Sequence, residues 1–355
     1  MAAGPVPTNL AFFYTTAEAT LGKVYLETDE SMPDFWKDVA TEVPFPSLQH
    51  VDGWIGMVPK PRMWRGPRVV HEPAAQTFTV ESRPWEHTMG IDRFTMDADF
   101  MGIFADTTIH QARQARRQPN YWLRDLIEAS GDFTNAGVAT QNPQLGTDGL
   151  PFFSTAHLQN IYSPSSATYS NDFIGGGINV AGGAPGGSGA NILVGGQFSP
   201  TSVMTLAEYM MQFKGEDGET LGVMPNLAMF PAALFGESQL VLVEMSFAPP
   251  QWATIGAGSG ALGAQVGAAD NPIRRFGINP LINRYLNNGN RWYLMDSTRS
   301  RRPLAWGVHR APVFAIRVAE TDTSVFDNHR YLFGIWGHAV PFWGAFPWLM
   351  CRSGS

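Results

Sequence analysis

GWIGMVPKPRMWRGPRVVH occupies residues 53–71, TFTVESRPWEHTMGIDR follows at 77–93, and DADFMGIF closes the block at 97–104. The block reads as two extended arms around a Pro/Gly-rich stretch, followed by the start of a helix. Trp54, Trp64, Arg65, Arg68 and Trp85 recur along it, with Lys60 in the tip region. It carries no pocket chemistry, and it is too long and too exposed in composition for an ordinary core hairpin. Trp and Arg are favoured interface anchors. A projecting Trp/Arg ribbon therefore predicts a protein that holds copies of itself.

The second arm contains a parity change. Phe78 and Val80 share one face, whereas Trp85, His87, Met89 and Ile91 alternate together beyond Pro84. Side chains in a strand alternate with period two, so the switch predicts a bulge or bend beside the proline. The outer part is expected to project while the inner part joins a sheet.

Composition points the same way. Of 355 residues, 44% are hydrophobic and only 15% charged, well below the usual quarter. Much of that surface is expected to be covered by other subunits. The net charge is −7, and the only lysines are Lys23, Lys37, Lys60 and Lys214. Sequence-independent DNA binding needs clustered cations, so nucleic-acid binding is not the expected primary role. A container wall that does not stick to packed DNA fits better. The single cysteine, Cys351, excludes an intrachain disulfide framework and a CxxC metal site, and reads as a small apolar residue. The segment MAAGPVPTNLAFF lacks a basic signal-peptide n-region. No 18-residue apolar run exists to span a membrane.

Outward from the ribbon, residues 1–52 read as an arm that packs on something else, with a short helix around 33–39 and Ser31 as its cap. Residues 97–130 are the strongest helix candidate, capped by Asp97 or Asp99, with Ile103, Ile109 and Ala112 near helical spacing. Pro119 is expected to end or kink it, with a shorter helix through Trp122, Leu123, Leu126 and Ile127. Arg113, Arg116 and Arg117 fall on one face, either solvated or a row of intersubunit salt bridges. Residues 132–200 are loop-rich. PTSVMTLAEYMMQFK (200–214) is a helix with Pro200 in its first turn and Gly215 after its end. A buried strand in NLAMFP, a helix over 231–243, a Gly/Ala-rich loop over 251–270 and strands in FGINPLINRYL and NRWYLMDS follow. The last fifty residues read as extended segments, with RYLFGIWGHAVPFWGAFPWLM as paired strands packing aromatics.

Candidate chemistry is thin. GSGALG (258–263) matches G-x-G-x-x-G but lacks the strand before and helix after that a dinucleotide site needs. GGSGA (186–190) lacks the last glycine of a nucleophile elbow. No two histidines stand at metal-ligand spacing. His157 is the best lone candidate, against the plainer reading of a hydrogen-bonded loop histidine. GEDGETLG (215–222) lacks the ligand spacing of an EF-hand and reads as a turn, with a bound cation as the alternative.

Six stretches resemble the Mu-like phage major head subunit family: GWIGMVPKPRMWRGPRVV, HTMGIDRFTMDADFMGIF, DGLPFFSTAH, MQFKGEDGETLGVMPNLAMFP, RWYLMDSTRSRRPLAW and FDNHRYLFGIWGHAVPFWGA. They occur in the family's order across most of 50–345. The resemblance implies an α+β, HK-97-type major capsid fold. It implies an N-terminal arm at 1–52 and an E-loop at 53–86. A peripheral domain with a spine helix is implied at 87–150 and 306–355, and an axial domain at 151–305. A loop lysine forms an isopeptide in one branch of that fold family; at Lys60 the carry-over rests on position alone, and a salt bridge or solvated lysine is the default.

The implied function is a major capsid protein of a tailed phage or prophage, assembled in the host cytoplasm and residing in the virion capsid. It is expected to have no catalytic site, cofactor or metal. The implied partners are copies of itself in pentamers and hexamers, a scaffold that is separate or already removed, a portal and decoration proteins. Packaged DNA is expected to be touched only weakly, and no membrane is involved. The interface candidates are Trp54, Lys60, Trp64, Arg65, Arg68, Trp85, Arg113, Arg116 and Arg117. The rival readings are an encapsulin-like compartment of the same fold and a β-rich soluble binding protein or enzyme.

Overall fold

The structure is a computed structural model. It describes residues 35–55, 61, 63–68, 75–97, 103–128, 149–160, 167–174, 178–179, 193–194, 198–243, 246–247, 269–270, 273, 276–318, 321–344 and 346–354. The Ser31 cap, Lys60, Asp99, GGSGA and GSGALG lie outside the described residues, as do the side chains of Trp54 and Asp97.

In chain order, helix α1 (Phe35–Val39) leads directly into β1 (Ala40–Pro44), and β2 (Gln49–Ile55), β3 (Ala75–Glu81) and β4 (Arg83–Asp92) follow. Next come α2 (Arg93–Asp97), α3 (Ile103–Glu128), β5 (Asp172–Ile174), α4 (Pro200–Met211) and β6 (Leu227–Pro231). β6 runs into a helical stretch made of a 3-10 turn (Ala232–Leu234), an α-turn (Phe235–Ser238) and a π-turn (Gln239–Val243). The chain ends with β7 (Asn279–Asn283), β8 (Trp292–Met295), β9 (Leu304–Arg317), α5 (Thr323–Asn328), β10 (Arg330–Trp343) and β11 (Met350–Gly354).

Two sheets organise these elements. The four-stranded sheet has the order β1-β9-β10-β4, with β1 parallel to β9 and the other pairs antiparallel. The five-stranded sheet has the order β7-β6-β8-β11-β5. In β8 all four residues are buried. Trp292 and Leu294 join the core that contains Leu206 and Met210 of α4, while Tyr293 and Met295 join a second core with Trp122, Leu126, Trp306 and Trp343. Period-two alternation thus sends one strand's side chains into two cores, and the second core ties this sheet to the first and to α3.

Three expectations are corrected. Pro119 neither ends nor splits the helix: α3 is one 26-residue element with Pro119 inside it. The cost of an interior proline, about 3 kcal/mol, is outweighed by the burial of Trp122, Leu123, Leu126 and Ile127 just beyond it, each worth roughly 1.5–3 kcal/mol. The C-terminal segment is not a pair of strands within itself. β10 runs unbroken through Gly334, Gly337 and Pro341 and pairs with β9 and β4. The last strand, β11, lies in the five-stranded sheet between β8 and β5, not in the four-stranded one. Arg352 fixes it there by a bidentate pair with Asp172, at 2.8 and 2.7 Å.

α4 follows the sequence closely. The Ser199 hydroxyl accepts the Ser202 N–H, Pro200 fills the first turn, and the helix stops at Met211. The strands expected at β6, β7 and β8 form, and the helix expected over 231–243 is helical but irregular.

Candidate intersubunit surface

The ribbon is built from β2 and β3, paired antiparallel from Gln49↔Glu81 to Ile55↔Ala75. Its inner face carries Asp52, Phe78 and Val80; its outer face exposes Val51, Thr77 and Thr79. Phe78 and Val80 pack with Phe45, Ala305, Val340 and Phe342 on one face of the four-stranded sheet. Asp52, 5% exposed, accepts from Arg301 at 2.6 Å. The base of the ribbon is therefore docked on its own subunit.

The parity change is present. Even-numbered residues face in along β3, and Arg83, Trp85, Met89 and Ile91 are the less exposed residues along β4, whereas His87, expected to join them, is exposed. The break falls at Ser82, between the two strands, and its N–H donates to the Leu48 carbonyl at 2.7 Å. The ribbon thus leaves the sheet two residues before Pro84. It also begins at Gln49, four residues before the expected position.

The tip behaves differently from the base. Met63 and Trp64 are 75% and 71% exposed, and Arg65 and Arg68 are exposed too. The Trp64 Nε1 donates to the Gly66 carbonyl at 2.8 Å, and the Arg68 guanidinium lies 5.1 Å from the indole centroid. Gly66 has φ of 85°, a left-handed value that a glycine adopts without strain.

The other interface candidates separate. Trp85 belongs to β4, opposite Gly337, and is half-buried in its own subunit. A Cβ on Gly337 would lie 3.0 Å from that indole, so the glycine makes room for it. The three arginines of α3 do not share one solvated face. Arg116 is 8% exposed because it falls in the buried stripe with Ala112, Ala115 and Asn120, Arg113 is exposed and Arg117 is half-buried.

Two further anchors were not assigned a role from the sequence. STRSRR (297–302), between the two sheets, sends its arginines three ways. Arg299 donates to the Leu221 carbonyl at 2.7 Å, Arg301 reaches Asp52, and Arg302 reaches the Lys37 carbonyl at the end of α1. Glu128, the last residue of α3, accepts from the Asn287 and Asn288 N–H groups at 2.5 and 3.1 Å. An alternating or helical pattern does not reveal such links, because their partners lie 78 residues or more apart along the chain.

The chemical candidates resolve as structure. The His157 Nε2 lies 2.9 Å from the Phe152 carbonyl, in a fully buried site. Cys351 is buried in β11, and desolvation holds its thiol well above the usual range. The 215–222 turn is closed by its own backbone, with Gly215 N–H donating to the Glu219 carbonyl at 2.8 Å. Among the described residues no group of three or more His, Cys, Asp or Glu is arranged to hold a metal ion. Among them, too, no helix is long and apolar enough to cross a membrane.

Comparison with known proteins adds to this geometry. The model of the Mu-like prophage major head subunit gpT family matches residues 15–181 and 279–346, more than half of the chain. The major capsid protein of Escherichia phage Mu is 22% identical over 260 residues, covering 62% of this chain and 85% of that one. Among solved structures, the procapsid of bacteriophage JBD30 superposes with a TM-score of 0.51 at 19% identity, covering 99% of this chain and 76% of that one. The JBD30 capsid decorated with minor capsid protein trimers gives a TM-score of 0.50 at 19% identity, covering 72% and 92%.

Proposed function

Because the chain belongs to the Mu-like prophage major head subunit gpT family and has the α+β, HK-97-type capsid fold, we propose that its sheets, long helix and ribbon divide the work of a shell subunit. It is a major capsid protein, a structural protein of the phage head, and its place is the virion capsid. Copies of it assemble into an icosahedral shell.

The finer division is our reading. The four-stranded sheet with α3 is the peripheral domain, and α3 is its spine. The five-stranded sheet with α4 is the axial domain, whose surfaces gather copies into pentamers and hexamers. The ribbon over 49–81 is the E-loop, and the residues ahead of α1 are the N-terminal arm. Trp54, Lys60, Trp64, Arg65 and Arg68 meet the adjacent copy, and Arg113 and Arg117 line the spine's outer side. Arg116 and Trp85 support the subunit from within. A separate scaffold, a portal and decoration proteins complete the assembly, and packaged DNA is touched only weakly by this acidic chain. The protein carries out no catalysis; its mechanism is assembly.

One observation carries this reading: the ribbon's base is bonded to its own subunit while its tip presents an exposed tryptophan. Heterologous contacts that close under rotation build rings. At about 25 cal/mol per Å² of apolar area and about 1,600 Å² per standard interface, several contacts per subunit make a durable wall. Size-exclusion chromatography with negative-stain microscopy of the expressed chain tests it. Rings or closed shells are expected; a stable monomer with small-molecule turnover would overturn it.

A further inference from the structure

The tip of the ribbon has a charge of its own. Between Gly53 and His71 lie Lys60, Arg62, Arg65 and Arg68 and no carboxylate. The chain as a whole carries −7, so removing these four positive charges leaves −11 on the rest. The tip and the rest of a second copy therefore carry opposite net charge.

Within the tip, residues 64–68 also contact one another. The hydrogen bond from the Trp64 Nε1 to Gly66 and the stacking of Arg68 on the indole hold the side chains in place. Side chains already restrained by contacts within their own chain lose less entropy on binding. Both Arg65 and Arg68 remain exposed around the ring.

A second copy presents a matching feature just after α4. Glu216, Asp217 and Glu219 stand on one turn, with Asp217 and Glu219 exposed. Its backbone is held from beneath, because the Gln159 Nε2 donates to the Gly215 carbonyl at 2.9 Å and the Gly215 N–H donates to the Glu219 carbonyl. The Asp217 Oδ1 accepts the Glu219 N–H at 3.1 Å, which fixes the turn's shape, and both residues stay exposed at the surface.

We propose that the basic tip, centred on Trp64 with Arg65 and Arg68, docks on the acidic 216–219 turn of a second copy. The inference rests on reading the ribbon as an assembly arm and names the surface that receives it. Trp64 supplies the apolar contact. The arginines supply charge pairing, which steers encounter and fixes register more than it adds affinity. Added salt weakens such pairing.

The test uses the full chain and charge reversal. R65E/R68E and D217R/E219R are each expected to cut shell yield about tenfold or more, counted by negative-stain microscopy, with the subunit's melting temperature unchanged. Combining the four substitutions is expected to restore shells. Wild-type yields from either pair, or a combined variant as defective as the single pairs, would overturn the proposal while leaving the shell reading intact. An unaltered chain that never assembles would overturn both. A second measurement places a photo-crosslinking phenylalanine derivative at Trp64 in mixed light and heavy nitrogen-labelled chains. A crosslink from the tip to 213–222 of the other isotopic copy is expected, and crosslinks only elsewhere or only within one copy contradict the docking.

Discussion

Asn171 joins three distant segments through one side chain. Its Nδ2 donates to the carbonyls of Phe152 and Pro347 at 2.6 and 3.0 Å, and its Oδ1 accepts the Ser154 N–H at 2.8 Å, all with the residue fully buried. It thereby holds the DGLPFFSTAH segment, whose Phe152 stacks on Trp343 at 4.0 Å between centroids. Without the amide the Phe152 carbonyl keeps His157 beside it, but the Pro347 carbonyl and the Ser154 N–H lose their partner, at roughly 1–3 kcal/mol apiece. Asn171→Ala is therefore expected to lower unfolding stability by about 3 kcal/mol in urea denaturation; a loss below about 1 kcal/mol would mean water replaces the amide. Gly307 is constrained in the opposite sense. A Cβ there would run into the Phe45 ring, which closes the base of the ribbon. Gly307→Ala should destabilise the subunit by about 1–3 kcal/mol through overpacking, and adding Phe45→Leu should recover part of it. A double variant less stable than the single one would locate the strain elsewhere.

At the scale of elements, α3 is where local rule and tertiary context disagree. Pro119 has no N–H to give the Ala115 carbonyl, yet the helix continues because its second half fills the core between the sheets. Pro119→Ala is expected to raise stability by about 1 kcal/mol or more, measured by chemical denaturation; a fall would indicate that the packing of Asn120 and Trp122 depends on a bend. The ribbon divides by the same logic. Its paired arms share the Phe45–Phe342 core and the Asp52–Arg301 bond, whereas its tip is exposed. Replacing 58–73 by a two-residue Asn-Gly turn, which favours hairpin closure, should leave a subunit that melts cooperatively and forms no shells. Normal shells from that variant would contradict an assembly role for the tip.

The whole molecule stands on two cores that meet through β8, and buried phenols sit in both. Desolvation pushes the Tyr209 hydroxyl from 10.0 up to about 12, and pushes that of Tyr293 higher still. Both rings are neutral in the fold, and in the unfolded chain they ionise near the ordinary value. Their contribution is thus complete below pH 10 and is lost as pH rises from there through about 12. Subunit stability is expected to fall steeply over that window, and Tyr209→Phe should blunt the fall; an unchanged alkaline profile would assign it to other groups.

Much of this was readable from residues alone, wherever the signal was local. The extended arms of the ribbon, a parity break close to Pro84 (it falls at Ser82), the Ser199–Pro200 start of α4 and the alternating strands follow from side-chain period, capping and proline geometry. These depend on neighbours a few residues away. Tertiary structure decided the rest. It carried α3 through Pro119, turned Arg116 inward while leaving Arg113 out, sent the last strand to the five-stranded sheet, and joined Asp52 to Arg301. Each outcome depends on burial energy or a charge partner supplied from a distant part of the chain, and no local pattern encodes which distant surface will be there to receive it.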